Sequence, residues 1–404
     1  MFTTSDCCNY NWGMLLRNRC LAFGVCLLLP ALACAGWDEH ELDRVPVGGG
    51  INGDSLHIQD GRAVVTWNRL VEGEEIAVLQ AEYDGEFSEP ISVAGGGKDW
   101  WGATALMAGG NEYLALQRQG PEGYGYYLQG LSAGTADLQW LAELSSDLYY
   151  EDFLVHNGEV WLAYSGLHEG EELRTLRLHH MVPGGEPRSI IGPRAIWPAL
   201  AVLKGNMYVA YHNMLNYGED LGPSYGQLEL ARVAGDELEV VYRDETRLHN
   251  GLYAKTAVDE EAGILWLSYV NPTRYTYPPA APEEQQGELR LYEIILAGWD
   301  GENATQNSVT LGPDRMYHDL LLIDGVPHVY YVDQPQATIF ESWIGDGYME
   351  LDTVRPYRQG GWIPAAEPKA VLAEDGTVVL TVQAMEFATG DRGLMALVRD
   401  PEQG

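Results

Sequence analysis

Beyond residue 34 the sequence contains no cysteine, because all five (Cys7, Cys8, Cys20, Cys26 and Cys34) fall within the first 34 of 404 residues. Without that segment the chain has no thiol, which excludes disulfides, thiolate metal sites and cysteine nucleophiles. Lysine is nearly as scarce, with four in the whole chain, and phenylalanine numbers six. Positive charge is short overall, since 24 Lys+Arg stand against 59 Asp+Glu, a net of −35. That balance argues against nucleic acid or an anionic membrane surface as partner, because both need clustered Lys and Arg. Helical periodicity is missing throughout. After the first 35 residues no stretch is apolar enough to span a bilayer. The chain is not a disordered acidic polymer either, since 46% of it is hydrophobic and 10% aromatic.

The N-terminus reads as a secretory leader. Arg17 and Arg19 precede an apolar stretch, Cys20 to Leu32, that runs into Ala33-Cys34-Ala35. A basic region, a short apolar region and an A-x-A site make a signal peptide, expected to be cut near Ala33 or Ala35, with Met14 a candidate start. A second reading keeps Cys34 as the acylated first residue of a lipoprotein, since Ala31-Leu32-Ala33-Cys34 loosely follows a lipobox. The expectation is a periplasmic or secreted protein of residues 36–404. It would hold 22 basic and 58 acidic residues, a net of −36. Such an acidic, lysine-poor surface suits saline surroundings.

A unit of about 50 residues recurs seven times: an apolar strand, a glycine turn, and a second strand ending in an aromatic or aliphatic pair. The turn glycines are Gly61, Gly110, Gly158, Gly205, Gly263, Gly325 and Gly376. A period of this length with β-branched and aromatic strands marks a β-propeller with one four-stranded sheet per blade. A second hairpin follows in most copies, at Asp84-Gly85, Gly184-Gly185, Gly235-Asp236, Asp300-Gly301 and Gly345-Asp346-Gly347. The seventh copy ends at Leu394–Arg399, without room for an outer strand. Residues Leu42–Gly48 resemble the outer strand of copy one. The fold predicted is therefore all-β: a single seven-bladed propeller closed by an N-terminal strand that completes the last blade and leaves no open edge.

This strand-turn-strand pattern, over residues 42–404, resembles the sialidase-like, BNR-type propellers of exported bacterial proteins. The sialidase Asp-box S-x-D-x-G-x-T-W is absent and the arginine triad of that family has no match here, so the resemblance implies the architecture and not sialidase activity. Some polysaccharide lyases also use seven-bladed propellers, with His, Tyr and Arg in the central cleft; their motifs have no match here either.

Ligands of propellers sit at the mouth of the central channel, where the innermost strands begin. Those starts carry Trp101, Tyr150, Trp197, Tyr253 and Tyr317, with Trp362 displaced in the last copy. Such aromatics either wedge neighbouring blades apart or offer flat faces to sugar rings. Polar residues follow closely: Asp54, Glu151 with Asp152, Lys255, His318 with Asp319, and Lys369 after Glu367. Lys255 could pair with Asp152 or Asp319 as a tie between blades, or these groups could perturb one another as acid/base sites do. The ends of the second strands add His212-Asn213, Arg69, Arg118, His168 and Asp333-Gln334. Long Tyr- and Pro-rich loops follow in copies four and five, Asn213–Gln227 and Asn271–Gly287.

Metal binding has thin support. His179-His180 point to opposite faces of a strand, and no H-E-x-x-H, EF-hand or cysteine pattern exists. His212, His318, Asp152 and Asp319 could converge on a metal only through the fold, and Ca²⁺ at a carboxylate-rich mouth is the better candidate; no cofactor is otherwise indicated. A nucleophile elbow is likewise absent, and the runs Gly48–Gly50 and Gly95–Gly97 read as turns between blades.

The function expected is carbohydrate binding, and possible cleavage of lyase or glycosidase type, at the channel mouth. In that reading Tyr253, His318 or His212 serves as acid or base, Arg118 and Lys255 neutralise an acidic sugar, and Asp152 or Asp319 orients them. Trp101, Tyr150, Trp197 and Tyr317 would hold the substrate. The alternative is a non-catalytic envelope scaffold whose rim engages a protein partner, since one fold hosts many functions.

Overall fold

The computed structural model describes residues 36–71, 76–97, 102–120, 122–131, 138–143, 149–167, 174–214, 226–246, 250–276, 288–345, 347–356 and 361–401. The leader and its cleavage site lie outside the described residues. The described chain forms seven antiparallel sheets, six of four strands and one of five. Within the first six sheets the strands follow chain order from the axis outward. The innermost strands are Gly50–Gln59, Gly102–Ala108, Tyr149–His156, Ala195–Leu203, Leu252–Asp259 and His318–Ile323. In blade 7 the inner strand is split into Trp362–Pro364 and Lys369–Leu372, both paired with Val378–Glu386. Pro364 and Pro368 bracket the break, as residues without an N–H to offer a ladder. Each innermost strand touches the next around the full circle, with Lys369–Leu372 against both its neighbours.

The ring is closed as the sequence predicts. Trp37–Val45 pairs antiparallel with Arg392–Arg399 as the outer strand of blade 7, with Trp37 opposite Arg399 and Val45 opposite Arg392. It begins five residues before the expected Leu42 and stops at Val45. Its early part, Asp38-Glu39-His40-Glu41, looks too polar for a strand because it is an edge with one solvated side. Its acids reach three blades. Glu39 takes two hydrogen bonds from Arg355 of blade 6, at 3.1 and 3.2 Å. Glu41 accepts from Trp362 of blade 7 at 3.2 Å, and Asp43 accepts from Trp67 of blade 1 at 2.8 Å. Arg399 and Arg44 lie over the rings of Trp37 and Trp362, at 5.0 and 4.7 Å.

Burial rises toward the second strand of each blade and falls at the outermost. Glu159–Gly166 and Asn206–Asn213 are buried at every position after the first, so they read as continuous apolar runs. Outer strands such as Glu237–Arg243 keep no buried residue. The core is a set of wedges between blades: Tyr208, Leu228, Leu230, Leu267, Tyr269 and Trp299 fill the one between blades 4 and 5. Truncating a fully buried leucine there, such as Leu267, should cost about 2–5 kcal/mol.

The hairpins at the far end of the channel explain the glycine period. Asp60-Gly61, Gly109-Gly110, Asn157-Gly158, Lys204-Gly205 and Asp324-Gly325 all have two successive positive φ angles. That is the type I′ turn, whose twist matches the strands it joins and whose second position favours glycine. Gly95–Gly97 belong to the outer strand Ile91–Gly97 of blade 1 rather than to a turn, which corrects the sequence reading. Among the described residues no helix is long and apolar enough to cross a membrane.

Candidate functional site: the channel mouth

Register defines which residues face one another around the axis. The second-strand residue five positions after each turn glycine pairs with Ser55, Thr104, Asp152, Ala199, Lys255, Asp319 and Lys369 in blades 1 to 7. These form an inner tier. Two residues earlier on each inner segment stand Gly53, Gly102, Tyr150, Trp197, Tyr253, Tyr317 and Glu367, which form the outer tier at the mouth. Blades 3 to 6 thus present four consecutive aromatics, while blades 1 and 2 present glycine and no side chain. The register puts Gly102 in the tier where Trp101 was expected, and Trp101 lies outside the described residues. Among the described residues the aromatic lining of the mouth is half a ring.

The four aromatics are in contact. Tyr150 lies 5.4 Å from Trp197, Trp197 lies 4.9 Å from Tyr253, and Tyr253 lies 6.0 Å from Tyr317, measured between ring centroids. Tyr150 also meets Tyr253 edge-on at 5.3 Å, which skips blade 4 and requires both rings to lean over the axis. Three of them achieve this by an unusual backbone. Tyr150, Trp197 and Tyr253 have φ of 50°, 53° and 55°, each inside a break in strand register. A bulky residue in the left-handed region costs on the order of 1–3 kcal/mol. Three successive blades repeat that cost at one position to turn a ring toward the mouth. Tyr150 is 39% exposed, and the other three are part-buried.

Beneath the rings lies a charged tier. Lys255 reaches across blade 6 to Glu367 of blade 7, with Nζ 2.9 Å from Oε1. Burial pulls the Lys255 pKa down, but Glu367, Asp319 and Asp152 together outweigh it and hold the ammonium charged. Asp319 accepts the Ala370 N–H at 2.7 Å, and Asp152 accepts the Leu200 N–H at 2.6 Å. Ser55 likewise accepts the Ala105 N–H at 3.1 Å, so three tier side chains tie one inner strand to the next. Burial raises the Asp319 carboxyl to about 6 against the pull of Lys255, and raises Asp152 also. Lys369 donates to the Asp54 carbonyl, while the Asp54 carboxylate accepts from Thr381 at 3.2 Å and Gln383 at 2.8 Å.

The remaining predicted residues occupy distinct places. Glu151 is held by Tyr126 and Gln117 of blade 2, and burial raises its pKa. His318 is fully buried, donates Nδ1–H to the Met316 carbonyl at 3.1 Å, and is depressed by burial to about 4. His212 is also fully buried, donates Nδ1–H to the Asn250 carbonyl at 2.6 Å, and meets Trp197 edge-on at 5.9 Å. Gly226 covers it, where a Cβ would fall 2.7 Å from His212 Nε2. Arg118 is part-buried and alternates away from Gln117, the neighbour that meets Glu151. Trp362 packs in the core between blades 6 and 7, a cluster that Tyr317 also adjoins. Asp333 is a buried partner of Arg315, at 2.6 Å. His179 and His180 do part company: His179 stacks on Tyr164 and His180 on Trp161. His168 and most of both long loops (215–225 and 277–287) lie outside the described residues. Among the described residues no group of three or more His, Cys, Asp or Glu is arranged to hold a metal ion.

Glu367 is named in the sequence reading only as the neighbour of Lys369, and its pairing with Lys255 is what the structure adds. Its signal was available, as the residue two before the tier position counted back from Gly376, but two prolines obscure the strand there.

No protein-family model matches the chain, and no curated protein matches it. Several solved structures are similar. One is a protein of unknown function from Dyadobacter fermentans, at 11% identity and a TM-score of 0.47, covering 90% of this chain and 99% of that one. Another is the six-bladed, fucose-recognising lectin of the fungus Aleuria aurantia, at 8% identity and a TM-score of 0.46, covering 78% and 98%. A third is the sialidase of Trypanosoma rangeli, at 10% identity and a TM-score of 0.44, covering 91% of this chain and 59% of that one.

Proposed function

We propose that this is an exported saccharide-binding propeller that takes a sugar ring against the aromatic half-ring at its channel mouth. The observation that supports it is the recurrence of Tyr150, Trp197, Tyr253 and Tyr317 at one register position of four successive blades, three of them on strained backbone. Packing alone does not require this, because blades 1 and 2 manage with glycine at the same position. Flat aromatic faces suit the apolar faces of pyranose rings, and the adjacent carboxylates suit their hydroxyls. Export rests on the leader read at residues 17–35. The test is titration of purified residues 36–404 with a saccharide panel, followed by tryptophan fluorescence and calorimetry. Trp197→Ala should abolish the response, and silence across the panel from folded protein would refute the reading.

Binding without turnover is favoured by the state of the acid/base candidates. His318 and His212 are buried with Nδ1 committed to carbonyl groups, and Lys255 is ion-paired. Cleavage instead would fall to Asp319, an inner-tier carboxyl whose pKa burial raises and which the Ala370 N–H holds in place at 2.7 Å. Reducing ends and unsaturated-uronate absorbance, followed over the same panel, separate the two. Turnover that disappears in Asp319→Asn would establish the catalytic reading.

A further inference from the structure

We propose that the mouth selects by charge, taking a sugar ring that carries a protonated amine in preference to its N-acetylated or carboxylate-bearing counterparts. This rests on the saccharide-binding reading above and adds the class of ligand. Three features of the two tiers carry it.

The first is that both tier lysines are already committed. Lys255 is paired with Glu367 at 2.9 Å, and Lys369 is bonded to the Asp54 carbonyl. Neither is left to meet an incoming carboxylate, so the role of neutralising an acidic sugar, expected for Lys255 from the sequence, has an internal occupant. The second is the surplus of acid. In the two tiers Asp152, Asp319 and Glu367 stand about Lys255, and Asp152 and Asp319 are each held by a backbone N–H of the next blade, while Asp54 and Glu151 lie one residue behind the tier with their own partners. An anionic ligand would add to this surplus, whereas an ammonium group would be drawn toward it. The third is the aromatic wall itself. The faces of Tyr150, Trp197, Tyr253 and Tyr317 are the negative side of each ring quadrupole, which attracts cations and repels anions. Tyr150, 39% exposed, is the ring an arriving group meets. Carboxylates below and the exposed Tyr150 ring above therefore favour the same sign of charge.

The experiment compares three trisaccharides of matched size against residues 36–404 at pH 6.5: glucosamine, N-acetylglucosamine and galacturonate. Affinities are measured by calorimetry at 0.05 and 0.5 M NaCl. The glucosamine oligomer should bind on the order of tenfold tighter than the N-acetylated one, and high salt should remove most of that difference. Glu367→Gln removes one acid and releases Lys255, so it should erase the preference while the N-acetylated ligand still binds; its thermal melt checks that it folds. If galacturonate binds tightest, or if amine and N-acetyl ligands bind alike at low salt, charge selection is wrong and saccharide binding stands. If none of the three binds and a wider neutral panel is also silent, both readings fall together.

Discussion

His318 and Asp319 are consecutive residues on one inner strand, and burial drives their ionisation in opposite directions. The histidine is depressed to about 4 and the carboxyl is raised to about 6. They point to opposite faces, Asp319 toward the Ala370 N–H of blade 7 and His318 toward blade 5. A depressed histidine takes up its proton late, so its contribution to stability is lost as pH falls from about 6.5 to 4. A raised carboxyl is the reverse: its contribution is complete below about 4 and is lost as pH rises through about 6. Each amounts to about 3 kcal/mol over the same window, and the two nearly cancel. Asp319→Asn should therefore lose stability relative to the parent as pH falls from 6.5 to 4, and His318→Gln should gain it. Denaturant midpoints of the three proteins at pH 4, 5 and 6.5 check both signs.

Removing Glu39 should loosen the ring at its closure. Arg355 is 3% exposed, and its guanidinium is shared between Glu39 and the Trp362 carbonyl, the latter at 2.7 Å. Glu39→Ala leaves a buried cation without its carboxylate, for a loss of about 3–5 kcal/mol by urea denaturation. Double substitution with Arg355→Met should recover part of that loss.

Lys255→Met should raise the Asp319 pKa above its present value of about 6, since the ammonium is the largest influence holding it down. It also strands Glu367. A fall in melting temperature at pH 7 that shrinks toward pH 5, where the released carboxyls can protonate, is the expected pattern.

The strain at the mouth is measurable. Tyr150→Gly should fold as stably as the parent or better, because glycine accepts φ near 50° freely and Tyr150 is the most exposed ring of the group. Tyr150→Ala should be less stable than Tyr150→Gly by about 1 kcal/mol, since alanine keeps the left-handed penalty. Both should bind the ligand weakly. Equal stability of the two variants would mean that the backbone at this position is not strained.

The architecture could be read from the residues because its signals are local. Asn157-Gly158 and Asp324-Gly325 dictate type I′ hairpins whatever surrounds them, and runs such as Val160–Tyr164 require cover on both faces. The closing strand is legible by counting, as one strand missing and one spare, although its polar start conceals five residues of it. The mouth was less legible, since it depends on register around the ring. Trp101 and Gly102 are neighbours in sequence, and only the pairing of Gly102 with Gln117 decides which belongs to the tier. The pairing of Lys255 with Glu367 joins blades 5 and 7, and no spacing in the chain encodes a distance across the axis. Burial of His212 and His318 depended on which elements pack over them, Gly226 among them.

The closure also determines how the ring would yield to force. Trp37 stands opposite Arg399 at the end of the channel away from the mouth, and the two strands run antiparallel from there. Tension applied through residues 36 and 401 falls on the first ladder bonds alone and peels the strands apart one bond after another, instead of shearing the whole ladder at once. Blade 7 should therefore give way first, at low force, with the other six sheets still intact. A ring that holds against heat and denaturant through the contacts of Glu39, Glu41 and Asp43 would still unzip when pulled at this seam.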